Sequence, residues 1–209
     1  MSKKQKIDKI DKLFLKAQKK LITSTISIKK MREFLFKQGA NKKEIDEIIE
    51  KLKRYSFINE EEILNNIISY ADAKHYGYNR IITMLKQREI SSSLIMKIKR
   101  DEAREQEESK KALNRLKKRY KSKNTFNLKR SVYSGLIRYG FDENIASIRA
   151  SEVSNSPQEE LNMLILEYNK LLSSYARKNN GKIDKSKISK SLLCKGYNLN
   201  DIKKVIKVE

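Results

Sequence analysis

The sequence predicts an all-α protein built of tandem three-helix repeats stacked into an elongated, curved array, and three observations carry this. Apolar residues recur at helical spacing along most of the 209 residues. Six Gly, one Pro and no Trp leave few turn signals for a sheet, and no segment alternates apolar and polar residues long enough to form a strand. Four segments can also be laid over one another. With 38% hydrophobic residues, the chain suits a string of small units better than one thick globule.

Residues 6 to 22 make an amphipathic helix, with Ile10, Leu13, Phe14, Ala17 and Leu21 on one face and Lys on the other. Thr23 to Ser27 breaks it, and the eight lysines of the first twenty residues read as a frayed, solvated end. The matching segments begin at Ile28, Tyr78, Leu128 and Ser186. In each, an apolar residue (Met31, Ile81, Val132, Ile188) is followed one helical turn later by Leu35, Leu85, Leu136 or Leu192. A turn position comes next, at Gly39, Glu89, Gly140 and Gly196, and then Ala40, Ile90, Phe141 and Tyr197. Asn41, Ser91, Asp142 and Asn198 come after these as residues able to cap a helix. A second apolar pair closes each segment: Ile45 and Ile48, Ile95 and Ile98, Ile145 and Ile148, Ile202 and Val205, with the third copy one residue short.

A further helix lies between copies. Asn59 to Lys74 is the first, with Asn59 as its cap and Ile63, Ile67 and Tyr70 on one face. It ends at the joint His75-Tyr76-Gly77-Tyr78, where Gly77 can take the conformation a sharp helix end requires. Glu102 to Tyr120 is the second, with Ala112, Leu113, Leu116 and Tyr120 as its stripe. The third starts at the capping box Ser156-Pro157-Gln158-Glu159 and carries Leu161, Leu164, Ile165, Tyr168, Leu171, Leu172 and Tyr175, a stripe suited to packing on its own unit or to dimerisation. Asn179-Asn180-Gly181 makes a loop. The implied division is a basic helix over 1–24 packed on the first repeat, repeats over 25–76, 77–123 and 124–180, and a partial fourth over 181–209. Units this small bury their cores by stacking on neighbours, which presents one long face to a long partner.

Composition excludes several chemistries. Cys194 is alone, so no intrachain disulfide forms, and with His75 the only histidine there is no Cys/His cluster for a metal. No Gly-rich phosphate loop and no nucleophile pattern around His75 call for an enzyme or a cofactor, and Glu60, Glu61 and Glu62 read as a helix-start cluster. The charged N-terminus lacks the apolar core of a signal peptide and no apolar run approaches a membrane span, so a cytoplasmic, membrane-free monomer is expected.

The net charge of +22 predicts attraction to a polyanion, although abundant Lys, Ile and Asn also fit an AT-rich coding background. From Ser109 to Phe141 there is no acidic residue. This stretch holds Lys110, Lys111, Arg115, Lys117, Lys118, Arg119, Lys121, Lys123, Lys129, Arg130 and Arg138, interleaved with Tyr120, Phe126, Tyr133, Tyr139 and Phe141. Basic side chains neutralise phosphates and exposed aromatics stack on unpaired bases. The alternative is a solvated helix face over core aromatics. Phe141, in a repeat column, is assigned to the core, while Tyr120 and Phe126 stay open. Arg80, Lys86 and Arg88 form a second candidate surface, expected to point away from the core.

The repeated plan, the joint and the run Gly77-x-x-Arg80-Ile81-x-x-x-Leu85 resemble the RecX family of regulators of the RecA recombinase, over nearly the whole chain. The family's acidic entry motif corresponds to Ile58-Asn59-Glu60-Glu61-Glu62-Ile63-Leu64. The chain departs from the pattern at Ala71, in place of a helix Arg, and at His75 and Glu89, in place of Gly. The portion from Glu159 to Val208 is similar to the extra C-terminal repeat of the longer, Gram-positive type. The resemblance implies a cytoplasmic, non-enzymatic protein that lies in the groove of the RecA filament on single-stranded DNA. It would restrain ATP hydrolysis, strand exchange and repressor cleavage, and so recombination, DNA repair and the SOS response. The competing reading is a general single-strand or duplex DNA binder that acts without RecA.

Overall fold

The computed structural model describes residues 3–23, 26–178 and 184–207. Among these are twelve α-helices and no strand, so the all-α expectation holds. The loop expected at Asn179-Asn180-Gly181 lies outside the described residues. By contact the chain divides into two compact units, Met1–Lys74 with Tyr78–Asp101, and His75–Gly77 with Glu102–Glu209.

The first unit holds α1 (Lys3–Thr23), α2 (Ile28–Lys37), α3 (Lys42–Arg54), α4 (Glu60–Lys74), α5 (Tyr78–Gln87) and α6 (Ser92–Lys97). The frayed N-terminal end expected from the lysines is instead wound from Lys3, because Ile10, Leu13 and Ala17 are buried against Met31 and Leu35 of α2 and Ile45, Ile48, Ile49 and Leu52 of α3. Burial of that apolar face outweighs the repulsion of exposed lysines. A reciprocal capping box starts α3. The Glu44 amide donates to Asn41 Oδ1 at 3.0 Å, and Glu44 Oε2 accepts from the Asn41 amide at 2.8 Å. Asn59 caps α4 as expected, its Oδ1 accepting the amides of Glu61 and Glu62. Of the stripe foreseen on α4, Ile67 is buried but Tyr70 is exposed, and Ala71 is fully buried.

The second unit holds α7 (Glu102–Arg119), α8 (Thr125–Tyr139), α9 (Glu143–Ser151), α10 (Pro157–Lys178), α11 (Lys185–Cys194) and α12 (Leu199–Lys207). Ala112, Leu113 and Leu116 of α7 pack with Leu128, Val132 and Leu136 of α8 and with Phe141, Ile145, Ala146 and Ala150 at α9. The α10 stripe packs within this unit, Leu164 and Tyr168 being buried against Ile188, Leu192 and Ile202. Its Ile165 is 39% exposed.

All four turn positions have left-handed backbone: Gly39, Gly140, Gly196 and also Glu89, at φ 56°. Two expectations need correction. At the first joint the left-handed residue is His75, at φ 58°, not Gly77. Gly77 is required by proximity instead: its amide donates to Tyr139 O at 2.8 Å, and a Cβ there would sit 2.6 Å from the carbonyl oxygen of Gly140. In the third segment Ile148 is exposed, and the buried residues are Ile145, Ala146, Arg149 and Ala150. Counted from the capping residue, Ala146 and Arg149 take the places of Ile45 and Ile48, so the segment is not one residue short. It has a polar residue in an apolar column.

Candidate polyanion-binding surfaces

Helix α7 turns its small and branched residues inward, which leaves Lys110, Lys111, Arg115, Lys117, Lys118 and Arg119 exposed. Its last three residues are basic, the arrangement favoured at the negative end of a helix. Lys111 is occupied: its Nζ lies 3.0 Å from Glu108 Oε1 and 3.7 Å from Glu107 Oε1, and the Glu108 hydrogen bond holds its pKa above the ordinary value. The other five have no ion pair among the described residues. Lys121, Lys129 and Arg130 are exposed in the same condition.

The two open aromatics resolve differently. Tyr120 packs partly into the core beneath the turn between α7 and α8, where it organises cations. Its hydroxyl accepts from Arg138 Nη2 at 3.1 Å, and Lys123 Nζ lies 5.1 Å from the ring centroid while donating to Ser131 Oγ at 2.7 Å. Phe126 is 54% exposed. Phe141 is buried, as assigned.

In the first unit Lys86 and Arg88 are exposed, whereas Arg80 is half-buried and engaged within the protein. Of the carboxylates here, Glu60 is engaged as well. Glu60 Oε1 lies 2.8 Å from Lys53 Nζ, and Glu60 Oε2 accepts from the Ser91 amide at 3.3 Å. Burial pushes the Glu60 carboxyl up, but these hydrogen bonds outweigh it and hold it below the ordinary value. Glu60, foreseen as part of a simple helix start, therefore also ties α3 and the beginning of α6 to α4.

His75 likewise has a structural role. Its Nδ1 donates to Glu108 Oε2 at 2.7 Å; with the Lys111 contact, this outweighs the burial of Glu108 and depresses its pKa. Among the described residues, no group of His, Cys, Asp and Glu is placed to hold a metal ion, and no helix is long and apolar enough to cross a membrane. Sequence reasoning missed Arg149, which is 7% exposed. Its Nε donates to Ser109 Oγ at 2.9 Å, Nη1 to Glu152 Oε1 at 2.7 Å and Nη2 to Gln106 Oε1 at 2.7 Å. Only its place in the column of Ile48 would have signalled it.

Fold and surface together define an all-helical protein that presents unpaired cations to solvent. No family model matches the chain. It is 28% identical over 178 residues to the regulatory protein RecX of Streptococcus pneumoniae serotype 19F (strain G54), a match covering 83% of this chain and 69% of that protein. Its fold is similar to the crystal structure of RecX from Lactobacillus salivarius, with a TM-score of 0.55 and 20% identity over 70% of this chain and 97% of the other. The chain thus resembles the RecX family in sequence as well as in fold.

Proposed function

We propose that this chain is a RecX-type modulator, mainly an inhibitor, of the RecA recombinase. It binds along the groove of the RecA filament on single-stranded DNA and restrains ATP hydrolysis, strand exchange and cleavage of the SOS repressor. The observation that carries this reading is the match to a regulatory protein RecX across four-fifths of the chain. The geometry supports it, because Lys86 and Arg88 in one unit and Lys110, Arg115, Lys117, Lys118, Arg119, Lys121, Lys129 and Arg130 in the other are exposed without ion pairs among the described residues. Such cations suit a filament that is itself a polyanion. Several weak contacts, made by a cytoplasmic monomer, give avidity that no single site supplies.

The test is RecA's single-strand-dependent ATP hydrolysis, with this chain titrated from far below to equal with RecA at physiological salt and the series repeated with excess single-stranded DNA. Inhibition well below one chain per RecA that survives the added DNA is expected. Inhibition that needs stoichiometric protein and vanishes with added DNA would replace this reading with that of a general DNA binder, which the acid-free stretch from Ser109 to Phe141 favours.

A further inference from the structure

The acid-free stretch of the second unit contains one aromatic ring that stands apart from the others. Phe126, in the first turn of α8, is 54% exposed, whereas Tyr120, Tyr133 and Tyr139 are half-buried and Phe141 is buried. Its ring rests on the turn after α11. A Cβ on Gly196 would lie 2.4 Å from the ring, so only a glycine lets the turn support it at that distance. A cleft of about 730 Å³ opens beside the ring, with Pro157 and Leu161 as apolar lining and Lys129 on its rim. Lys129 and Arg130 lie three and four residues beyond Phe126, on the same helix face, and both are exposed and without an ion pair among the described residues.

The cleft's two carboxylates are internally engaged. Glu160 Oε2 accepts from the Thr125 amide at 2.9 Å, from Thr125 Oγ1 at 3.0 Å and from Asn155 Nδ2 at 3.0 Å. Asp201 pairs with Lys204 at 3.2 Å. What remains for a ligand is a supported ring, an apolar wall and two free cations.

We propose that this cleft is a base-stacking site for single-stranded nucleic acid: an unpaired nucleobase lies on Phe126, and Lys129 and Arg130 meet the flanking phosphates. A base within a duplex has no free face to offer, so the site selects unpaired strands. The proposal rests on the filament reading only for the class of ligand, since it requires that the chain touch the DNA directly.

The chain has no Trp, so Phe126→Trp makes a sole tryptophan at the site, read by excitation that the tyrosines do not absorb. Full-length protein would be titrated with oligo(dT), with an abasic strand of the same length and with a hairpin duplex, at several salt concentrations. Quenching of the Trp by oligo(dT) but not by the abasic strand or the duplex is expected. Phe126→Ala and Phe126→Leu should each weaken oligo(dT) binding about 5- to 150-fold with the salt slope unchanged. Lys129→Gln and Arg130→Gln should each lower that slope by about 0.7. Phe126→Leu keeps an apolar side chain on Gly196 and should melt as the parent does, which separates stacking from folding.

Wild-type binding of oligo(dT) by Phe126→Leu, or an equal loss on the abasic strand, would overturn the site. If the same variant instead lost inhibition of RecA while binding oligo(dT) normally, the ring would face protein, and the site would fall while the regulatory reading stood. Stacking without any inhibition of RecA would uphold the site and remove the regulatory reading.

Discussion

The segments that begin at Tyr78 and Leu128 carry the same columns of residues, yet their second helices differ in depth. In the later one, Asp142 caps α9, its Oδ1 accepting the Ile145 amide at 2.9 Å, and the helix buries Ile145, Ala146, Arg149 and Ala150. In the earlier one, Ser91 makes no side-chain cap bond, α6 stops after six residues, and none of them is buried. Ile98, meant as the second apolar anchor, is extended at ψ 106° and only half-buried. The pattern specifies the turn, but the neighbour decides the length and seating of the helix beyond it. α9 packs on α7 as well as α8, and those contacts extend a helix that propensity alone would leave marginal.

The largest test of this contrast is truncation of the shared leucine. Leu136→Ala should cost about 3–5 kcal/mol in urea unfolding, and Leu85→Ala about 2–3 kcal/mol, because a region with no deeply seated second helix relaxes more easily into the cavity. Equal losses would mean that α6 is as firmly seated as α9. Gly77→Ala comes next, at about 2–3 kcal/mol, since its methyl meets backbone rather than a movable side chain. Gly39→Ala, with nothing within 4 Å, should lose only about 1–2 kcal/mol, from its left-handed backbone. Thermal unfolding of the two variants side by side would separate contact from conformation.

The turn position itself gives a smaller effect. Gly140→Glu should destabilise by about 1–2 kcal/mol, whereas Glu89→Gly should change stability by only about 0.5 kcal/mol. Relief of the strained φ is offset there by the loss of the Glu89 contact with Arg32 Nε at 3.1 Å and by the freedom a glycine adds to the unfolded chain. A large gain from Glu89→Gly would show that the earlier turn is strained more than its backbone angle implies.

The subtlest comparison is with pH. Glu60 in one unit and Glu108 in the other both have depressed folded pKa values. Each contributes stability above its unfolded value, and that contribution is lost as pH falls through the folded value. Both units should therefore weaken below about pH 4.5. Glu60→Gln and Glu108→Gln should each flatten part of that slope in acid melting curves; an unchanged slope in either would remove its carboxylate from the account.

The helices and the turn columns were legible because they depend on spacing and on local chemistry. Met31, Ile81, Val132 and Ile188 are buried, and so are the four leucines one turn on. Side-chain partners were less legible, because they depend on which helices meet. The role of Gly77 depends on Gly140, far along the chain, and the partial burial of Arg80 comes from packing that its own helix does not announce. The acid-free stretch marked the basic surface correctly as exposed, but only the fold distinguishes Tyr120, used internally, from Phe126, left open.

Arg149 carries a consequence for how such a chain avoids its own errors. Similar segments in one polypeptide invite mispairing, in which a helix docks against the sibling of its true neighbour or against the same helix of another molecule. Ile48 would tolerate many such partners. The Arg149 guanidinium carries Glu152 with it, three residues on, but it takes Ser109 and Gln106 from α7, and in any other slot it would be a buried charge missing those two partners. Arg149→Leu should therefore leave a folded protein that refolds from urea with more exchanged dimer, visible by size-exclusion chromatography. An unchanged dimer fraction would reduce the network to packing. In this way a polar residue in an apolar column serves as a proofreading mark, telling the third segment apart from its siblings.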